Sequence, residues 1–188
     1  MWFDEEYESG MTLENLSMLF SQEERSQIKE KLHEQNIGVL FFEKRGVQAS
    51  FFDAAAIYIN AHLTELILTG LLAPAAYDVI KATVSAVIGK IKSWVSSVKK
   101  DRPVVCLRFT TAKSEIIAPI PDYLTDEQFK IYMDMLRETL ENDTKPKLEK
   151  VTRFDYFIVE ENSEKTHIVT KTVAEYGYEQ RRKRGNEQ

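Results

Sequence analysis

Hydrophobic residues recur at helical spacing through one long stretch near the middle of the chain. Apolar side chains return there at intervals of three and four residues, at Tyr77, Ile80, Val84, Val87, Ile91, Trp94 and Val98. This spacing places them along one side of a helix. Pro74 suits the first turn of that helix, and Gly70 suits the end of a preceding helix over residues 54–70. The pattern predicts two consecutive helices, which we call the helical hairpin 54–100.

Capping signals mark the start of two further helices. Ser21 is followed three residues later by Glu24, and Thr125 is followed three residues later by Gln128. This is the spacing of a capping box, in which each side chain bonds the backbone of the other residue. We therefore predict a polar helix over residues 21–35 and an amphipathic helix over residues 125–142.

Short apolar runs bounded by turn residues predict the strands. Six such runs form three hairpins, at residues 37–42 and 47–52, 103–110 and 114–120, and 151–160 and 166–173. In the run 151–160, Phe154, Tyr156 and Ile158 alternate with Arg153 and Asp155, so we expect the first three to be buried. The predicted fold class is α+β, with an antiparallel or mixed sheet of about six strands and the long helices on one face.

The single predicted α+β domain covers residues 21–175. Residues 1–20 mix acidic and aromatic side chains without a clean period, and we treat them as an N-terminal extension. The final residues, EQRRKRGNEQ, contain no apolar side chain. We therefore expect residues 176–188 to form a disordered basic tail.

Composition excludes several functional classes. The chain has 188 residues, 43% of them hydrophobic and 29% charged, which is typical of a globular domain. Its 25 basic and 30 acidic residues give a net charge of -5, which argues against DNA binding. The single cysteine, Cys106, excludes an intramolecular disulfide and favours a reducing, cytoplasmic location. No apolar run reaches about 18 residues, so we expect no membrane span.

No catalytic or metal-binding motif stands out in the sequence. The three histidines lack the spacing of metal ligands, and the seven glycines are too scattered for a phosphate-binding loop. We therefore predict no metal and no cofactor. An enzyme whose site is assembled from distant residues is an alternative, with His62, Glu65, Arg108 and Arg153 as its candidate residues. We expect His62 to bond either Glu65, which lies one helical turn further on, or the backbone.

Four charged residues are expected on the outer face of the sheet: Arg108, Arg153, Asp155 and Lys171. Ion pairing between neighbouring strands explains such a group without any function. A site that binds an anion is the alternative.

The helical hairpin offers the best starting point for a function. The side opposite its apolar stripe carries small residues, at Ala82, Ser85, Ala86, Gly89, Ser93 and Ser96. The same segment has no acidic residue between Asp78 and Asp101 but contains Lys81, Lys90, Lys92, Lys99 and Lys100. Three interpretations fit these features: a core helix, the contact surface of a symmetric dimer, and an attachment site for an anionic membrane.

We interpret the chain as an interaction or assembly module. The apolar stripe of the hairpin, from Tyr77 to Val98, would contact a second copy or another protein. The distant-residue enzyme and a peripheral membrane protein are the alternatives. Near the C-terminus, the basic run Arg181, Arg182, Lys183 and Arg184 is either solvated or a weak contact for RNA or anionic lipid.

Overall fold

The computed structural model describes residues 3–43, 56–98, 105–121, 123–161 and 167–185. Seven strands form one sheet: β1 (Ser9–Glu14), β2 (Ile37–Phe42), β3 (Ala56–Ile59), β4 (Val105–Thr110), β5 (Ser114–Ile120), β6 (Asp155–Glu161) and β7 (Ile168–Thr172). Across the sheet their order is β2-β1-β3-β4-β5-β6-β7.

Parallel and antiparallel neighbours alternate across this sheet. β1 and β2, β3 and β4, and β5 and β6 are parallel, whereas β1 and β3, β4 and β5, and β6 and β7 are antiparallel. The α+β fold class is confirmed, and the sheet is mixed, which is one of the two predicted alternatives. Within the described residues it has seven strands instead of about six. The two later hairpins are confirmed as β4–β5 and β6–β7. The predicted strand 47–52 lies outside the described residues.

Helices connect the strands of each parallel pair. Along the chain, α1 (Gln22–His33) lies between β1 and β2, and α2 (Ala61–Leu68) and α3 (Pro74–Val98) lie between β3 and β4. α4 (Asp126–Thr139) continues through a π-helical turn (Leu140–Thr144) into α5 (Lys145–Leu148), between β5 and β6. α6 (Val173–Gly185) follows β7. Capping boxes begin α1 and α4 at Ser21 and Thr125, as the sequence predicts.

Two strands occupy segments for which the sequence predicted something else. β1 falls within the supposed N-terminal extension, yet it lies inside the sheet between β2 and β3. Its apolar and polar residues alternate only from Met11 to Glu14, which is the shortest run that indicates a strand. Thr12 is buried like the apolar residues beside it. β3 falls within the helix predicted from residue 54. That helix begins at Ala61, where the Asn60 side chain accepts a hydrogen bond from the Leu63 amide at 3.0 Å.

The expected disordered tail is helical as far as Gly185, because the start of α6 is anchored. The Thr172 amide donates to the Glu175 carboxylate at 2.8 Å, and the Glu175 amide donates to the Thr172 hydroxyl at 3.2 Å. One turn further on, Glu179 pairs with Lys171 at 2.6 Å. These contacts stabilise the first turn of α6, whose backbone amides have no partner within the helix. The amino-acid composition of the segment does not reveal them. Residues 186–188 lie outside the described residues.

One face of the sheet carries the core. Buried side chains alternate along its central strands, at Val105, Leu107 and Phe109 in β4 and at Ile116, Ala118 and Ile120 in β5. They form one cluster with buried residues from α1 to α4, among them Leu32, Ile67, Val84 and Leu136. The long helices therefore pack on this face, as predicted.

The second face is half-buried and more polar. Strand register places one row of residues across β3 to β7: Tyr58, Arg108, Ile117, Ile158 and Lys171. At one end of this face, a Cβ at Gly38 would lie 2.7 Å from the Asp4 Cβ, so only glycine allows the N-terminal segment to approach. At the other end, α6 reaches over the sheet through the ion pair between Glu179 and Lys171.

The free edge of β7 is covered by side chains. The Thr170 amide donates to the Asp143 carboxylate at 3.0 Å, and the Thr170 carbonyl accepts from the Lys147 ammonium at 2.5 Å. The Thr172 amide is bound in the same way by Glu175. Asp143 and Lys147 thus take the place of the backbone acceptor and donor of a neighbouring strand.

Candidate functional site

The apolar stripe of α3 lies in the protein's own core. Its five members with described side chains are each at most 5% exposed: Tyr77, Ile80, Val84, Val87 and Ile91. The side chains of Trp94 and Val98 lie outside the described part of the chain. These five side chains are therefore part of the hydrophobic core, and a partner protein could not contact them unless the fold opened.

Tyr77 fixes α3 against α4. Its hydroxyl donates to the Met133 carbonyl at 2.5 Å, and the Arg137 guanidinium lies 5.0 Å from its ring centre. Burial raises the pKa of Tyr77 well above its usual range. The phenol is therefore a neutral donor at physiological pH, as its hydrogen bond requires.

The lysines of α3 are also engaged within the protein. The Lys81 ammonium lies 2.9 Å from the carboxylates of both Asp78 and Asp134, and Lys90 pairs with Glu24 in α1 at 2.5 Å. Lys92 donates to the carbonyl of residue 124 at 2.7 Å, just before α4. Lys99 and Lys100 lie outside the described residues. The three described lysines thus tie α3 to the elements on either side of it.

The side of α3 that remains exposed is small and nearly uncharged. We call it the outer side of α3, and its exposed residues are Ala75, Asp78, Ala82, Ala86, Gly89 and Ser93. Residues 75 to 93 extend over about 27 Å of helix. The Asp78 carboxylate is paired with Lys81, and a Cβ at Gly89 would meet no atom within 4 Å. A long, flat helix surface is therefore open to contact.

His62 contacts two side chains other than Glu65. Its Nδ1 lies 2.9 Å from the Ser9 hydroxyl and its Nε2 lies 3.6 Å from the Glu8 carboxylate, while Glu65 is exposed on the same helix. A hydroxyl, an imidazole and a carboxylate in this order resemble an activated nucleophile. Ser9 is only 7% exposed, however, so the contact serves to join α2 to β1.

Arg108 lies on the second face of the sheet and forms a cross-strand ion pair. Its Nη1 donates to the Glu115 carboxylate at 2.9 Å, and its guanidinium lies 5.5 Å from the centre of the Tyr58 ring. Burial lowers the pKa of Arg108, but the charges of Tyr58 and Glu115 more than offset this, so the net pKa is raised. Burial also raises the pKa of the neighbouring Cys106 thiol, which makes it a poor nucleophile.

The four proposed catalytic residues do not form one site. His62 and Glu65 lie on α2, Arg108 lies on the second face of the sheet, and Arg153 precedes β6. The expected burial in β6 is also reversed, because Phe157 and Val159 are buried whereas Phe154 is 55% exposed. Asp155 therefore lies with Phe157 on the face that the helices cover. The prediction that it shares the outer, second face with Arg108 is wrong.

The residues that the structure describes contain no group of three or more histidine, cysteine, aspartate or glutamate side chains placed to hold a metal. Among the described helices, none has both the length and the apolar composition to cross a membrane. Compared with protein-family models, with curated proteins and with solved structures, the chain matches none of them.

Proposed function

We propose that the protein is an assembly module that binds a second copy of itself through the outer side of α3. The observation that carries this proposal is the exposure of a long helix side without bulky side chains or unpaired charges, on a helix otherwise surrounded by neighbours. The stripe from Tyr77 to Ile91 then acts as the support of the contact surface instead of the surface itself.

The chemistry of the outer side suits close helix packing. Alanine, glycine and serine allow two helix axes to approach to about 8 Å, at the short end of the usual range. These residues also lose little side-chain entropy when they are covered. Because the single acidic residue of this side, Asp78, is already paired with Lys81, covering the surface leaves no isolated charge without water.

A symmetric contact follows from the shape of this surface. In a two-fold dimer the same patch faces itself, so the patch must be complementary to its own rotated copy. A straight row of small residues meets this requirement when two α3 helices cross antiparallel. The contacts of Tyr77 and Lys90 with neighbouring elements hold α3 in place before association, which lowers the entropic cost of binding.

Light scattering over a wide range of protein concentration tests the proposal. Ala86→Glu introduces a charge in the middle of the outer side, and we expect this variant to stay monomeric where the natural chain dimerises. Ala174→Glu is the matched control, because Ala174 is also exposed on a helix but lies on α6. A natural chain that stays monomeric at every concentration, or equal dimerisation of both variants, would contradict the proposal.

Cross-linking tests the geometry of the contact independently. In a Cys106→Ser background, single cysteines at positions 82, 86 and 89 are oxidised in turn. Near a two-fold axis only the position closest to the axis brings two Cα atoms within about 7 Å, the reach of a disulfide. We expect one of the three positions to cross-link strongly, whereas a uniformly low yield would argue against an α3–α3 contact.

A further inference from the structure

A cleft of about 640 Å³ opens where the end of α5, the strands β6 and β7, and α6 meet. Its volume is within the range of sites that bind small molecules. Four cationic side chains line it, at Lys147, Lys150, Arg153 and Lys171. It is formed by elements other than α3, so it is separate from the surface proposed for assembly.

Two of these cations are already neutralised by the protein. Lys171 lies 2.6 Å from the carboxylates of both Glu160 and Glu179. Lys147 pairs with Asp143 at 2.9 Å and also donates to the edge of β7. Both side chains therefore have structural roles that explain their charge.

The other two cations have no such explanation. Lys150 and Arg153 are exposed at the cleft, and within the described part of the chain no carboxylate pairs with either of them. Asp155 also lines the cleft, where its carboxylate accepts a hydrogen bond from the amide of Tyr156 at 2.8 Å. The cleft thus offers two cations and two carboxylates that are not in an ion pair, Asp155 and Glu175. The Glu175 carboxylate is already occupied by hydrogen bonds from the amide and hydroxyl of Thr172, so Asp155 is the more available of the two.

The rest of the cleft gives these charges a semi-apolar setting. Phe157, which is 2% exposed, lines it together with Val151 and Val169. A few polar groups above apolar walls are typical of sites for small organic ligands.

We propose that this cleft binds a small phosphate monoester that also carries hydroxyl groups. Its phosphate lies between Lys150 and Arg153, because the guanidinium donates to two phosphate oxygens at once and the ammonium supplies a second charge. Its carbon skeleton covers the half-buried Val151 of the cleft wall, and one of its hydroxyls donates to Asp155. The proposal is independent of the dimer.

Calorimetric titration of the full chain at low salt tests the proposal, with ribose 5-phosphate, ribose and inorganic phosphate as probes. We expect ribose 5-phosphate to bind more tightly than inorganic phosphate, and ribose not to bind. Gluconate, a hydroxylated carboxylate, separates phosphate recognition from general attraction of anions. Tighter binding of gluconate than of ribose 5-phosphate would overturn the assignment of the phosphate.

Variants then locate the binding site. Lys150→Ala and Arg153→Ala should each weaken the binding of ribose 5-phosphate at least tenfold. Lys130→Ala, an exposed lysine on α4, changes the net charge equally and should leave the affinity within twofold. Asp155→Asn should weaken ribose 5-phosphate while inorganic phosphate binds as well or better.

The outcomes that contradict the proposal are distinct. Absence of saturable binding by the natural chain, or equal binding by Lys150→Ala, Arg153→Ala and Lys130→Ala, would overturn it. Thermal melting of each variant shows whether a lost affinity reflects unfolding. If Lys150→Ala or Arg153→Ala has a lowered melting temperature, the affinity of the other variant still tests the proposal. The comparison of the two phosphate probes with Asp155→Asn tests it as well.

Discussion

Replacing Ile80 by alanine tests whether the α3 stripe is core. Ile80 is 1% exposed, and the substitution removes three of its side-chain carbons from the interior. At about 0.8 kcal/mol for each methylene-sized group, the loss of burial alone costs about 2.4 kcal/mol. The cavity left behind raises this to about 3–4 kcal/mol, within the range measured for such substitutions in protein cores.

Ile131→Ala is the matched control for this prediction. Ile131 lies within α4 as Ile80 lies within α3, so both variants gain the same few tenths of a kcal/mol from the better helix propensity of alanine. Ile131 is 59% exposed, however, and its replacement should change the free energy of unfolding by less than about 0.5 kcal/mol. The difference in the free energy of unfolding between the two variants therefore measures the contribution of burying Ile80.

Urea unfolding followed by far-UV circular dichroism measures both variants. With a slope of about 2–3 kcal/mol per molar urea, the Ile80→Ala midpoint should fall by at least about 1 M. The loss should be equal at two protein concentrations, because a core contact does not depend on association. Equal, small losses for both variants would refute the reasoning, since they would place Ile80 on a surface.

Two further predictions concern the sheet. Burial raises the pKa of Tyr58 to about 12, against about 10 in an unfolded chain, so the folded state keeps this proton longer. The free energy of unfolding should therefore fall as the pH rises from about 10 to about 12. Over this range the urea midpoint of Tyr58→Phe should fall less than that of the natural chain. An identical fall would contradict the raised pKa of Tyr58. Asp143→Ala removes the acceptor of the Thr170 amide and should cost about 1–3 kcal/mol in urea unfolding. Asp134→Ala, which breaks only an exposed pair with Lys81, should cost less than about 1 kcal/mol, and equal costs would argue against closure of the β7 edge.

Sequence alone predicts the elements that are determined locally. The helices α1 and α4 were recognisable because their capping boxes lie within four residues, and α3 because its stripe repeats over six turns. The β4–β5 hairpin was recognisable for a similar reason, because its two strands are joined by a short turn. Each of these signals depends on residues that are close together along the chain.

The parts that sequence missed depend on distant neighbours. In β1 the alternation of apolar and polar residues covers only four positions, from Met11 to Glu14. β3 is a four-residue apolar run, AIYI, which periodicity cannot distinguish from a helix segment. The cleft combines residues from α5 to α6, whereas the sequence groups only Arg153, Asp155 and Lys171 among them, on one face of the sheet. Their meeting depends on strand register and on α6, which no short pattern encodes.

The alternation of parallel and antiparallel pairs affects how the chain reaches its fold. Each parallel pair, with its connecting helices, is complete before the next pair begins along the chain. The sheet can therefore form one pair of strands at a time during synthesis. Each new strand pairs with a strand that was synthesised shortly before it. The first and last strands along the chain, β1 and β7, are not neighbours in the sheet. The loops that must close to pair the strands are therefore short for a chain of this size, and the entropic cost of closing them is small.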